Sequence, residues 1–437
     1  MKRTASTPLI LLAALATLAA AGCAQKPSGD APFAPIDEAR AVFWDRQTTE
    51  TGALMEKIAN RFNESNPPLP LKIETTGNYG DIFQKVMASI RAGRLPAMAV
   101  SYESMTAQYA ASGAALPLDP LIEAPGTGLT PEDLADFFPA VLESNRFSEE
   151  GGAMLSFPLT KSVLMLYANH RVLREAGIER PPGTWDEFLG QSRAIKEKTG
   201  KHAWAVAVDC STISAMIFSR GGEVLVGGVP QYDQPASLQT FELLETLVKE
   251  DLVYTIPART FEDEAAFAAD RIAFTLRTSA GSANMAIAMG GKNAEWSLNP
   301  IPQSDPARPA TVLFGPNVTL FDVGADQAAS AWGFTRYFTS PEVMAEWCLA
   351  TGYVPIRRSV ARDPRLVAYF EEWPSNRAPF DSLAFARTEP NVRGWQAIRK
   401  QVEQAQAAVM SGLQGGREAA LALQQAAVEE LARGAGQ

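Results

Sequence analysis

Apolar positions recur along this chain with two different periods. Ala41-Val-Phe-Trp44 is a short continuous apolar run, which predicts a buried strand ending at Asp45. From Thr51 to Glu64, Leu54, Ile58 and Phe62 recur at i, i+4 and i+8 and predict a helix that Asn66-Pro67-Pro68 stops. Leu71 to Thr75 reads as a second strand, followed by a Gly77-Asn78 turn. In the next helix Ile82, Phe83, Val86, Met87 and Ile90 form one stripe, closed by Gly93 and Pro96. Ala97 to Val100 suits a covered parallel strand that finishes on Tyr102 and Glu103. The order is β-α-β-α-β, so a doubly wound sheet is expected. Tyr79 at a helix start and Glu103 past a strand end then fall at the carboxyl edge of that sheet, where ligands bind.

Residues 112–150 are broken by Pro117, Pro120, Pro125 and Pro131, and Leu155 to Asn169 is mostly apolar and β-prone. Thr184-x-x-Glu187 reads as a capping box opening a helix to about Lys198. A strand over Ala203 to Val208, a short helix over Ile213 to Ser219, and an amphipathic helix over Ser237 to Glu250 follow. A helix over Glu262 to Ala269 leads into a strand over Arg271 to Leu276. Val312 to Leu320 reads as a return strand broken at Gly315-Pro316. Helices are expected over Ala328 to Phe338, from Ser340-Pro341 to Gly352, and through the alanine-rich tail from Trp395 to Arg433, interrupted near Gly412 to Gly416. The expected fold is α/β, two doubly wound lobes joined by a hinge. One lobe takes 38–160 and 312–350, the other 161–311 and 351–437.

At 437 residues the chain exceeds one ordinary core. A hydrophobic content of 46% with 20% charged residues describes a globular protein. The net charge of −10 argues against nucleic acid as a partner, while leaving room for a small anionic ligand held by local donors. Lys2 and Arg3, an apolar run from Leu9 to Ala21, and Ala20-Ala21-Gly22-Cys23 form an export leader over 1–22. Residues 23–37 (AQKPSGDAPFA within them) read as a tether. Cys210 and Cys348 are expected as buried free thiols in different lobes, and His170 and His202 have no metal-ligand spacing with them. No metal or cofactor is expected. G-x-S-x-G, S-x-x-K and H-E-x-x-H are absent, so an enzyme would need a carboxylate pair such as Asp45 and Glu103.

Gly77-Asn78-Tyr79 with its helix, Arg91-Ala-Gly-x-x-Pro96-Ala97, Tyr102-Glu103 and the distant Gly352-Tyr353-Val354-Pro355-Ile356 resemble the extracellular solute-binding proteins of family 1 of bacterial ABC importers, a group dominated by carbohydrate binders. The leader, ending on Cys23, resembles a lipoprotein signal, which implies lipidation of Cys23 and a membrane tether in the periplasm or on the cell surface. The resemblance implies a non-enzymatic, monomeric binder that closes about a hinge and delivers its solute to permease subunits. Glycerol-3-phosphate or a glycerophosphodiester is the expected solute, with a mono- or oligosaccharide as the alternative. It implies ligand contacts for Tyr79, Glu103, Ser162, Ser279 (Thr278 on a one-residue slip), Gly315 and Tyr353. Lys161, at the expected cleft rim, would add a point charge. A late phosphate-binding arginine corresponds to Arg387 or Arg393. Where the family carries tryptophans, this chain has Val208-Asp209-Cys210-Ser211-Thr212, so Asp209 implies a smaller, more polar or differently charged ligand.

Overall fold

The computed structural model describes residues 31–257, 260–291 and 295–435. The expected leader over 1–22 and the expected lipidation site Cys23 lie outside the described residues. In chain order the elements that matter are β1 (Ala41–Asp45), α1 (Thr49–Asn63), β2 (Leu71–Thr75), α2 (Tyr79–Ala92), β3 (Met98–Ser101) and α3 (Glu103–Ala111). There follow β4 (Phe157–Pro158), β5 (Ser162–Asn169), β6 (His202–Ala207), α4 (Cys210–Phe218), β7 (Val253–Ile256), β8 (Ile272–Thr278) and β9 (Trp296–Pro300). The chain ends with β10 (Thr311–Phe314), β11 (Asn317–Leu320), α5 (Ala325–Phe338), α6 (Pro341–Thr351), β12 (Ala386–Arg387), α7 (Trp395–Met410) and α8 (Gly416–Ala435).

Two sheets result. The first has the order β2-β1-β3-β11-β4; β2 and β3 run parallel to β1, and β11 is antiparallel to β3 and β4. The second has the order β7-β6-β8-β5-β10-β12, with β9 also paired to β5. β5 is buried at all eight positions and explains the apolar run before Asn169. Leu164, Leu166 and Ala168 enter one core cluster, while Val163, Met165 and Tyr167 enter the other. A strand covered on both faces cannot alternate apolar with polar.

The chain passes between the sheets at Leu159–Lys161 and again at Gly315-Pro316. Leu313 and Phe314 pair with Val163 and Ser162 in the second sheet, so the return begins at Asn317 and not at 312. Residues 356–359 also stay with the first half: Arg357 is held by Asp133 and the Thr339 carbonyl, and Ser359 by Asp136. The second half therefore does not resume at 351, because those backbone and side-chain bonds anchor the segment to 133–136. The last part of the expected tether is likewise structured. Ala34 and Pro35 pair with Arg94 and Leu95, and Phe33 and Ile36 pack on the first core. Among the described residues no helix is long and apolar enough to cross a membrane.

Candidate functional site

In the first sheet β1 lies between β2 and β3, so three strand ends meet at one edge. β1 delivers Asp45, Arg46 and Gln47, the β2–α2 turn delivers Tyr79, and β3 delivers Tyr102 and Glu103. Asn78 fixes Tyr79 by capping α2: its side chain accepts from Gly80 and Asp81, and Asp81 accepts in return from Asn78 N–H. The Tyr79 and Tyr102 rings lie 4.5 Å apart between centroids, and Arg46 Cζ stands 5.0 Å from the Tyr79 centroid. Tyr353, just past the left-handed Gly352 that ends α6, accepts a hydrogen bond of 3.5 Å from Gln47 Nε2.

The second half faces this group with α7, the N-terminus of α4 and the stretch before α7. Arg399 Cζ lies 5.5 Å from the Tyr102 centroid, across the seam. Arg399 is ion-paired with Glu389 and donates to Ser211 Oγ at 3.1 Å. Glu389 also accepts from Ser211 at 3.0 Å, Ser214 at 2.8 Å and Cys210 Sγ at 3.3 Å. Tyr102, Glu103, Gly315, Ser211, Glu389 and Arg399 line one crevice along this seam. Burial pushes the Tyr79 and Tyr102 hydroxyls up from their ordinary values, so both remain proton donors. Burial likewise pushes Asp45 up to about 6, which the Arg46 and Gln47 N–H groups partly oppose.

The expected site residues separate into three groups. Tyr79, Tyr353 and Glu103 stand at the seam, as does Asp209, which caps α4 through Thr212 N–H at 2.8 Å and acts on Tyr102 and Arg399. Ser162, Ser279 and Gly315 form the floor. Ser162 is buried against Phe314, and Ser279 Oγ accepts from Val163 N–H at 3.4 Å. At Gly315 φ is +99°, and a Cβ would meet the Thr160 carbonyl oxygen at 2.1 Å. The third group is engaged by carboxylates of the protein itself. Lys161 is not on a rim: its side chain is 1% exposed, 3.2 Å from Glu103 and 3.1 Å from the Gly315 carbonyl. Burial pushes its ammonium down, and Glu103 holds it up part of the way. Arg387 is turned to Glu223 and the Gly222 carbonyl, over the Phe218 ring. Arg393 reaches Glu150 at 2.6 Å across the mouth between the halves. Both late arginines are thus already neutralised by carboxylates. Arg277, beside Ser279, is likewise paired with Asp263 at 2.7 Å.

Sequence reasoning passed over Arg46, Gln47, Glu389 and Arg399. Arg46 obeys the same strand-end rule that singled out Tyr79 and Glu103, so a signal existed. Arg399 sits inside a helix at ordinary spacing and carries none. Cys210 and Cys348 are buried free thiols, and no cluster of three metal donors occurs among the described residues.

Residues 57–376 match a family described as "Bacterial extracellular solute-binding protein". The chain is 27% identical over 348 residues to the sn-glycerol-3-phosphate-binding periplasmic protein UgpB of Yersinia pseudotuberculosis, covering 76% of this chain and 77% of that one. The same figures hold for its namesake in Salmonella typhimurium. Among solved structures, UgpB from Mycobacterium tuberculosis in complex with glycerophosphocholine superposes with a TM-score of 0.80 at 19% identity, over 91% of this chain and 99% of that one. The GacH receptor of Streptomyces glaucescens, solved unliganded and with acarbose, gives 0.77 at 20%, over the same 91% and 99%. These two likenesses show the α/β periplasmic-binding-protein fold.

Proposed function

The chain belongs to the bacterial extracellular solute-binding proteins of ABC transporters, and on that premise we propose that it captures glycerol-3-phosphate or a glycerophosphodiester between its two halves. Membership of this non-enzymatic family also replaces the carboxylate-pair hydrolase reading; Glu103 is engaged by Lys161, and Asp45 is buried. One observation carries the proposal: two guanidiniums from opposite halves flank one pair of packed phenol rings, Arg46 Cζ 5.0 Å from the Tyr79 centroid and Arg399 Cζ 5.5 Å from the Tyr102 centroid. Phenol and guanidinium donors suit phosphate oxygens, and the carboxylates of Asp209 and Glu389 suit glycerol hydroxyls.

Neither half alone supplies the full set of contacts. A solute that meets both gains affinity only when they close, which shifts the population to the closed form. Permease subunits would read that form. Lipidation at Cys23 would hold the protein at the membrane as a monomeric donor. The carboxylates also leave a second reading, a mono- or oligosaccharide, in keeping with the acarbose bound by the GacH receptor.

Thermal unfolding with a panel of solutes tests the choice. At 100 times Kd a bound solute adds about 2.7 kcal/mol of stability. Glycerol-3-phosphate or glycerophosphocholine should raise the midpoint of the wild type, and Tyr353→Ala should abolish that rise without shifting the ligand-free midpoint by more than a few degrees. A rise with sugars alone would replace this reading with the second one.

A further inference from the structure

We propose that the second half carries a separate site for a small zwitterion, an apolar α-amino acid whose carboxylate is taken by Arg220 and whose ammonium is taken by Asp186. The site stands apart from the seam and does not depend on which solute is captured there. A cavity of about 530 Å³ opens where the start of the helix Trp185–Thr199 and the middle of the helix Pro235–Lys249 meet Arg220, two residues past α4. α4 is nine residues long and begins at the seam with Cys210 and Ser211, which puts its far end about 13 Å away. The cavity shares no lining residue with the crevice at the seam.

Arg220 is held in place without being compensated. Its Cζ stands 4.5 Å from the Trp185 ring centroid, and that indole is fixed in turn by donating to Ser219 Oγ at 2.9 Å. A guanidinium has five N–H donors, and here one is spent, from Nη1 to the Met216 carbonyl at 3.1 Å. Among the described residues no carboxylate lies within 4.0 Å of it. Asp186 lines the same cavity and is likewise without an ion pair among the described residues. Burial pulls the guanidinium down to about 9, and Asp186 holds it up part of the way. Glu242, the other carboxylate on the wall, is turned to Arg417 at 3.5 Å. A cation and an anion that face one cavity without touching leave room for a molecule that touches both. A simple anion would gain Arg220 and be repelled by Asp186, and a simple cation would meet the reverse. A ligand with a carboxylate and an ammonium makes both contacts, the planar fork of Arg220 taking the carboxylate. A phosphate monoester would bring excess negative charge beside Asp186 and Glu242. Trp185, Leu189 and Leu243 supply the apolar wall against which an aliphatic or aromatic side chain packs.

Titration calorimetry of the full-length protein with L-leucine and L-phenylalanine tests this. Leucinamide lacks the carboxylate, N-acetylleucine lacks the ammonium, and phosphoethanolamine exchanges the carboxylate for phosphate. One of the two amino acids should bind, and removing either of its charged groups should weaken binding about tenfold or more. Arg220→Gln should weaken the amino acid by a similar factor, about tenfold or more. Asp186→Asn, at an exposed position where the fold has little to lose, should do the same and yet not weaken N-acetylleucine. A general loosening of the second half would weaken both ligands together, and that result would overturn the assignment. Circular dichroism melts establish that each variant is folded; should Arg220→Gln unfold, Asp186→Asn decides alone. Tyr353→Ala should leave the amino acid's affinity unchanged, and a loss there would place the ligand in the seam and overturn this site. Absence of binding by either amino acid at about 10 mM, or tighter binding of phosphoethanolamine than of both, would overturn it as well.

Discussion

Lys161 and Glu103 are buried together, with side-chain exposures of 1% and 13%. Isolating either charge in such a place is costly, and breaking a buried pair typically costs about 3–5 kcal/mol. Lys161→Met should therefore lower the urea midpoint strongly, and adding Glu103→Gln should restore much of the loss. Equal midpoints for wild type and Lys161→Met would show that the pair contributes nothing. Asp45 predicts a pH dependence of the opposite kind to a salt-bridged acid. Its carboxyl has a folded pKa of about 6 against an ordinary 3.8, so the folded state holds the proton more tightly. Its contribution is complete below the unfolded value and is lost as pH rises from there through about 6, on the order of 2–3 kcal/mol in all. Asp45→Asn should remove that fall, read as urea midpoints at pH 4 and 7; parallel pH profiles for the two proteins would refute the assignment. At this scale the sequence was legible where a residue sat in a local motif, as with Tyr353 beyond the Gly352 helix stop. It was not legible at Lys161, because partners 58 and 154 residues away decide whether a lysine is a rim charge or a buried pivot.

The elements were easier to read than the side chains, since periodicity is local and pairing is not. The break at Gly315-Pro316 correctly divided the return strand, yet nothing in the sequence said that its first part, β10, pairs with β5 and not in the first sheet. The same passage shows why the floor of the seam tolerates so little change. Lys161 ties three segments together, through its ammonium to Glu103 and the Gly315 carbonyl, and through its own carbonyl to Val354 N–H at 2.8 Å. Gly315 packs against the Thr160 carbonyl with positive φ, so Gly315→Ala must move both strands. A loss of about 2 kcal/mol or more is expected, larger than a surface substitution gives. A loss below about 0.5 kcal/mol would mean that the crossing segment yields easily. α7 and α8 were legible as one interrupted alanine-rich tail, with the break between Met410 and Gly416 where glycines cluster.

Across the whole molecule, the halves are joined at the mouth as well as at the crossing segments. Asn391 donates to the Ser144 and Arg146 carbonyls at 3.2 and 2.7 Å, Arg393 meets Glu150 at 2.6 Å, and Ser104 donates to Gln396 at 2.7 Å. These bonds exist only while the halves are together, so Arg393→Ala should favour the open form. Its effect should appear as faster solute release, about twofold to tenfold, with little change in unfolding midpoint. An unchanged release rate in stopped flow would show that the mouth contacts are incidental. The two-lobed architecture was legible because two β-α-β patterns in one chain exceed a single core, whereas Arg46 and Arg399 came together only through the assembled fold. Small-angle scattering of the protein with and without saturating glycerol-3-phosphate tests the closure on a solute most directly. The radius of gyration should fall on adding the solute, and Arg393→Ala should show a larger ligand-free value. Saturable binding with an unchanged radius in both proteins would contradict it.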